Sequence, residues 1–340
     1  MYGVKTGLNE AFFIDQATRD RLITEDPKCE SLIKKLIRGR NIQRWAVEWG
    51  KDWIIALPSS YNEEWPWAAL ADKPAKAEEI FEKEFPSIHA HMKPVEQALR
   101  KREDQGMFWW ELRSCDYYDK FEQPKIVYQV IQWHSGFALN LEGHFLNDKA
   151  FCIPSSDCYL LAALNSSLIW WFLWRYLPHM KDEALNPATF LMEVFPVVSP
   201  SKTTRSSIEE RVNRLIELAK SFAEKRASFL QWVTHETGII KVPTALESPW
   251  QLHQEKFLVV LKKAGLKHPS PTTLQHLTRT FESESSTLRA NRADTLRLER
   301  ELDELIMKVY KLTPDEIALL RQTAPPRSPL HVLETELNDE

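Results

Sequence analysis

Acidic and lysine side chains stand close together at two places in this sequence, Asp26-Pro27-Lys28 and Glu122-Gln123-Pro124-Lys125. Metal-dependent nucleases use acid and lysine in such proximity, and they need a further acid on a neighbouring strand. A single sequence does not place that further acid, and patterns this short recur by chance. Arg38, Arg40 and Arg44 lie beside Trp45 and Trp49. Guanidinium forks bind guanine edges bidentately or clamp phosphates. The competing reading is a solvated basic face packed beside a Trp-rich core, and for this cluster alone it is slightly the stronger. Lys5, Thr6 and Asn9 lie near a tight Gly3–Gly7 turn, where backbone N–H groups could meet phosphates or simply close the turn. Asn147, Asp148 and Lys149 follow a turn at Gly143, as base readers or as loop residues.

Other chemistry finds no motif. No P-loop, HExxH or GxSxG occurs. No Gly-rich turn follows a strand to hold a methyl-donor cofactor. Asn186-Pro187-Ala188 approaches the Asn-Pro-Pro-aromatic motif that holds a target amine. It lacks the second proline and the ring, and Leu185 to Thr189 reads better as the start of a helix. His89 and His91 point to different helix faces. Cys29, Cys115, Cys152 and Cys158 form no CxxC pair and no zinc spacing, which fits free thiols in a reducing cytoplasm. No catalytic, cofactor-binding or metal-binding residue is assigned.

The elements that must position these residues follow from composition and period. The chain has 340 residues, enough for two or three domains, with ordinary hydrophobic (43%) and charged (27%) content. Net charge is −4, which counts mildly against a nucleic-acid binder, although Lys34, Lys35, Arg38, Arg40 and Arg44 concentrate in one span. The segment Tyr159–Leu177 is apolar, but Asn165, Ser166 and Ser167 interrupt it, so a buried helix is expected there and no membrane span. Helices are predicted at Thr18–Glu25, Ser31–Ile37, Ala75–Phe85 and Pro86–Arg102, and strands at Trp45–Trp49, Trp53–Leu57, Lys125–Ile131, Gly136–Leu141 and Ala150–Pro154. Composition shifts at Pro196–Arg205. Beyond it helices are predicted at Ser207–Trp232, Phe257–Leu261, Thr273–Phe281 and Thr295–Tyr310. Thr313-Pro314-Asp315-Glu316 reads as a capping box. The Pro-rich, acidic stretch from Ala324 reads as disordered.

Phe108 to Tyr128 carries seven aromatic residues interleaved with Glu111, Arg113, Asp116, Asp119 and Lys120. By composition alone it is a half-buried seam or a binding surface. It is also the most distinctive of five blocks that resemble the TaqI-like C-terminal specificity domain of adenine-specific DNA methyltransferases and type IIG restriction–modification enzymes. The blocks run in that family's order: YGVKTGLNEAFFID at Tyr2, LIRGRNIQRW at Leu36, WWELRSCDYYDKFEQPKIVY at Trp109, FLNDKAFCIP at Phe145 and LLAALNSSLIWWFL at Leu160. LDELIMKVYKLTPDEIALL at Leu302 resembles the closing helices of such proteins, with Lys311 where glycine is usual.

The resemblance implies an α+β fold: a mixed α/β target-recognition domain over residues 1–199, a helical region over 200–323 that packs on it or on a partner, and a disordered tail over 324–340. It implies sequence-specific recognition of double-stranded DNA, with a methylase domain that in the family lies on the N-terminal side. That domain is expected in a separate subunit or to have been lost, and it would use S-adenosylmethionine. The chain is expected to have no activity alone and to act in the cytoplasm, within a site-specific adenine methyltransferase or type II restriction system. Lys5, Arg38, Arg40, Arg44 and Arg113 are the expected DNA contacts. The aromatic block, shared by proteins with different targets, is expected to be scaffold. Base reading is expected in Ser59–Lys73 and Gln132–His144. The alternatives are a restriction endonuclease subunit with metal-dependent cleavage, or an inactive remnant of a broken methylase gene.

Overall fold

The computed structural model describes residues 1–267 and 269–338. A short strand, β1 (Phe13–Ile14), leads into α1 (Gln16–Glu25), which Asp15 caps by accepting the Thr18 N–H. Asp26 then accepts the Lys28 N–H and opens a 3-10 turn over Pro27–Leu32. From there the chain extends as β2 (Ile33–Ile37). The helix predicted over Ser31–Ile37 is therefore a turn and a strand. Four apolar residues within six fit either period, and pairing with β3 (Asp52–Ile55) decides between them. The strand predicted over Trp45–Trp49 is absent as well. That segment makes only single bridges, Ile42 to Val47 and Trp45 to Ala138, and Trp45 has a φ of 70°.

Helices α2 (Pro74–Glu84), α3 (Pro86–Met92) and α4 (Glu96–Lys101) follow. The single helix predicted over Pro86–Arg102 is broken at Lys93–Val95, where Pro94 has no N–H to give and crowds the preceding turn. Strands β4 (Lys125–Gln129), β5 (Phe137–Asn140), β6 (Phe145–Leu146) and β7 (Ala150–Ile153) complete two small sheets. One has the order β1-β3-β2-β6, antiparallel except for the β2–β6 pair. The other is antiparallel in the order β5-β4-β7.

The apolar segment from Tyr159 is two helices, α5 (Cys158–Leu164) and α6 (Ser167–Tyr176). Ser166 caps the second through the Ile169 N–H, and Asn165 turns its side chain to other work described below. Among the described residues no helix is long and apolar enough to cross a membrane.

The helical region is built on α7 (Lys202–Thr237), which stops at Gly238 in the left-handed conformation (φ 67°). α8 (Gln254–Lys263) leads to α9 (Pro271–Val309), a single helix of 39 residues. It joins two shorter helices predicted from the sequence. The polar stretch between them looks like a break in the sequence, but Ser285, Asn291 and Thr295 continue the buried stripe. Their donors find partners: Ser285 donates to the Pro249 carbonyl at 3.0 Å, the Asn291 amide nitrogen to the Leu218 carbonyl at 3.1 Å, and Thr295 to the Asn291 carbonyl at 2.9 Å. Thr313 and Glu316 form the predicted capping box at the head of α10 (Pro314–Gln322).

The tail predicted to be disordered instead forms α11 (Pro329–Asn338), with Leu333 buried. Proline tolerated at a helix start, plus an apolar contact on α9, outweighs the acidic composition. Asp339 and Glu340 lie outside the described residues. With helix at 57% and strand at 10% of the chain, the fold is mixed α+β as expected.

Two cores result. The first surrounds the four-stranded sheet and contains the aromatic block as far as Phe121, while Tyr128 belongs to the second. Phe108, Trp109, Trp110, Phe121 and Tyr128 are buried. Trp110 stacks on Phe108 at 4.8 Å and on Phe81 at 4.9 Å. The block is scaffold, as expected. The second core lies between the three-stranded sheet, α5 and α6, and the facing stretches of α7 and α9.

Candidate nucleic-acid interface

Asn147 is the organiser of one face. Its side-chain oxygen accepts the Gly39 N–H at 3.1 Å and the Lys149 N–H at 3.2 Å. Residues Gly3 and Val4 lie along the same segment. Gly3 donates to the Ala150 carbonyl, and Val4 donates to the Leu146 carbonyl. A side chain at Gly3 would meet the Asn147 carbonyl oxygen at 1.9 Å, and one at Gly39 would meet the Lys149 oxygen at 2.5 Å. Glycine is required at both positions for steric reasons. Three chain segments are thus drawn onto one residue, and each delivers a cation: half-buried Lys5, exposed Arg40 and exposed Lys149. Asn147, one of the candidate base readers, is buried and works as a brace.

Lys5 and Arg113 share a cavity of about 610 Å³ with Cys115, Asp116, Tyr117 and Tyr118. Tyr117 O–H donates to the Tyr2 carbonyl at 3.2 Å, and Tyr118 O–H donates to the Arg113 carbonyl at 3.0 Å. These bonds fix the walls. Burial pushes both phenols and the Cys115 thiol above their usual ranges, so all three are neutral donors near neutral pH. Lys5 lies 5.5 Å from the Tyr2 ring, and Arg113 is paired with Asp104 at 3.1 Å on an exposed surface. An exposed pair of this kind is weak and can be exchanged for a phosphate. Beneath the turn, buried Arg102 binds the carbonyls of Thr6, Trp109 and Glu111, which ties the Lys5 turn to the aromatic block. Burial lowers its pKa to about 10. No motif marks Arg102 in the sequence. Thr6 and Asn9, grouped there with Lys5, bond to each other at 2.7 Å.

The remaining two predicted DNA contacts are placed elsewhere. Arg38 makes a two-pronged bond to Asp52, both prongs 2.9 Å, across β2 and β3. Arg44 is internal. Its guanidinium donates to Glu299 twice (2.7 and 2.9 Å), to the Ser135 carbonyl, and to both oxygens of Asn165. All five N–H groups of an arginine are then used. Arg44 therefore has no N–H left for DNA, contrary to expectation; it joins the two-sheet half to α9. Trp45 adds its ring N–H to Glu299 at 2.5 Å.

Next to this hub, buried Asp303 accepts the Ser167 N–H at 2.7 Å. Burial pushes its carboxyl up to about 6. Between roughly pH 4 and 6 the folded chain keeps a proton that the unfolded chain releases, so stability falls as pH rises through that window. Asp303→Asn is expected to abolish this fall and to be more stable than wild type at pH 8, by up to about 3 kcal/mol. Urea midpoints at pH 4.5 and 8 check it; equal midpoints at pH 8 count against a charged, buried Asp303.

Both acid–lysine pairs have structural partners. Asp26 starts a turn, Lys28 pairs with Glu84 at 3.6 Å, Glu122 pairs with Lys34 at 2.7 Å, and Lys125 is buried on the carbonyls of Phe121 and Gln123. Among the described residues no group of three His, Cys, Asp or Glu could hold a metal. Of the expected base-reading segments, the first exposes Tyr61 and Asn62 while burying Trp67. The second exposes Trp133 and Leu141.

The geometry defines a mixed α+β domain with a cationic rim, braced by an aromatic core and locked to a helical region. Residues 34–197 match the TaqI-like C-terminal specificity domain. Residues 201–306 match a domain of unknown function, DUF8810. No curated protein matches the chain. A solved structure of the Type IIL restriction-modification enzyme MmeI in complex with DNA is similar in fold, with a TM-score of 0.51 at 12% identity. The likeness covers 98% of this chain and 35% of that one, so the chain spans about a third of that protein's length.

Proposed function

We propose that the chain is the target-recognition module of a restriction–modification adenine methyltransferase system and reads a site in double-stranded DNA. The observation that carries this reading is the match of residues 34–197 to a specificity domain. The rim of Lys5, Arg40, Lys149 and Arg113 supplies the phosphate contacts that fix register, and the exposed loops near Tyr61 and Trp133 supply side chains for the grooves. Residues 1–199 act as the recognition domain and 200–323 as its helical support. A methylase domain or subunit flips the target adenine and holds S-adenosylmethionine. The present sequence contains neither the Gly-rich turn nor the Asn-Pro-Pro-aromatic motif for that step. The system works in the cytoplasm.

Duplex binding that weakens steeply with salt is expected. Replacing Lys5, Arg40 and Arg113 together by glutamine is expected to lower the slope of log K against log salt by up to about 2.7, which is about 0.9 for each phosphate no longer neutralised. Fluorescence anisotropy with a labelled duplex across a salt series measures this. An unchanged slope removes the rim as the interface. If the chain never binds duplex at low salt, alone or with a methylase partner, the reading itself fails. Methylation by the chain alone would overturn its assignment as a recognition module only.

A further inference from the structure

Helix α11 lays two glutamates on two arginines of α9. Arg300 donates to Glu334 at 2.6 Å, and Arg292 pairs with Glu336 at 2.7 Å. Among the described residues neither arginine has another carboxylate within ion-pair distance. Eight residues along a helix separate them by about 12 Å, the rise of roughly three to four nucleotides on one strand of a duplex.

The same helix roofs two cavities. One, of about 280 Å³, brings Arg292 together with Arg44 and the Arg226–Glu48 pair (2.8 Å) below Glu336. The other, of about 670 Å³, lies between α9, α10 and α11 and is lined by Arg300 and Arg321 together with Asp303, Glu304 and Glu334. Burial lowers the pKa of Arg292 and raises that of Glu336, so the roof desolvates both charges.

α11 has 10 residues, and a helix that short does not persist alone in water. It exists because it is docked, through Leu333 and through a connecting segment held by bonds from Trp170 to the Pro326 carbonyl and from Arg327 to the Asp182 carbonyl, both 3.3 Å.

We propose that Arg292, Arg300 and Arg321 form a second phosphate-binding surface for duplex DNA, which α11 keeps closed by presenting carboxylates where phosphates would sit. The proposal rests on the DNA-recognition reading above. Docking of α11 and binding of DNA compete for the same guanidinium groups, so a duplex that engages this surface releases the helix.

The test uses the full chain and a labelled duplex of about 20 base pairs. Glu334→Gln/Glu336→Gln is expected to bind about tenfold tighter at low salt, with a salt slope steeper by about 2, since two further phosphate contacts become available. Adding Arg292→Gln and Arg300→Gln to that variant is expected to abolish the gain. Hydrogen exchange on the unmodified chain is the second measurement: saturating duplex should speed exchange over residues 329–338. Unchanged affinity of the glutamine variant, or full protection of 329–338 in the DNA complex, overturns the proposal while leaving DNA recognition intact. Unchanged affinity is also the outcome expected if a protein partner takes this surface. Absence of duplex binding by every form overturns both.

Discussion

Glu299→Ala is expected to destabilise the protein by about 3–5 kcal/mol, the range for breaking a buried ion pair from one side. Glu299 is only 3% exposed and is the sole carboxylate paired with Arg44 among the described residues. Its removal strands three donors: two N–H groups of Arg44 and the ring N–H of Trp45. Most domains have only about 5–15 kcal/mol to lose, so the variant should be close to unfolding at physiological temperature. Glu299→Gln keeps one acceptor and is expected to fall between the two. Urea titration followed by tryptophan fluorescence and by circular dichroism measures the loss. A change below about 1 kcal/mol would mean that the hub is solvated or readily repacked. Because the pair joins the two halves, the two probes should separate in the alanine variant, with the recognition half losing structure first.

Glu111→Ala should have a comparable effect through a different route. The Glu111 side chain is fully buried inside the aromatic block. It accepts N–H bonds from Ser60 (3.0 Å), Met107 (2.8 Å) and Phe108 (3.2 Å), the ring N–H of Trp67 (2.9 Å) and the Ser60 hydroxyl. Each donor left buried without a partner costs about 1–3 kcal/mol, partly relieved by local rearrangement, so a loss of roughly 3–5 kcal/mol is expected. The damage should be local before it is global. The Ser59–Trp67 loop hangs on this carboxylate, so its amides should lose hydrogen-exchange protection at denaturant concentrations where β4 keeps its own. Uniform loss of protection across both sheets would show that Glu111 supports the whole core and not this loop in particular.

The aromatic block is legible as scaffold because rings in that density announce themselves in the sequence, and because its neighbours follow an ordered series. Strands β4, β5 and β7 are legible from apolar runs bounded by turns. Ser31–Ile37 misleads because four apolar residues satisfy both periods, and a partner strand some twenty residues on settles the matter. Helix α9 reads as two because its middle buries small polar residues whose acceptors lie on other segments. The site shows the same division. Lys5, Arg40 and Arg113 stand out because a cation beside a turn or a ring is a local pattern. Arg44 looks like its neighbours Arg38 and Arg40. What distinguishes it is Asn165 at 121 residues' separation and Glu299 at 255, and nothing local encodes either. Asn147 is noticed in the sequence, but its role is not legible there: its work is done on the backbone of residues 39 and 149, which sequence does not display.

The separation between Arg44 and Glu299 also sets a clock on synthesis. At about 5–20 residues per second, a ribosome needs roughly 10–50 s to make the intervening chain. During that interval the recognition half exists without its acceptor, with a guanidinium and the Trp45 ring facing a gap that α9 will fill. Nascent chains halted before residue 299 should be sensitive to proteases and should engage chaperones, and those released after it should not.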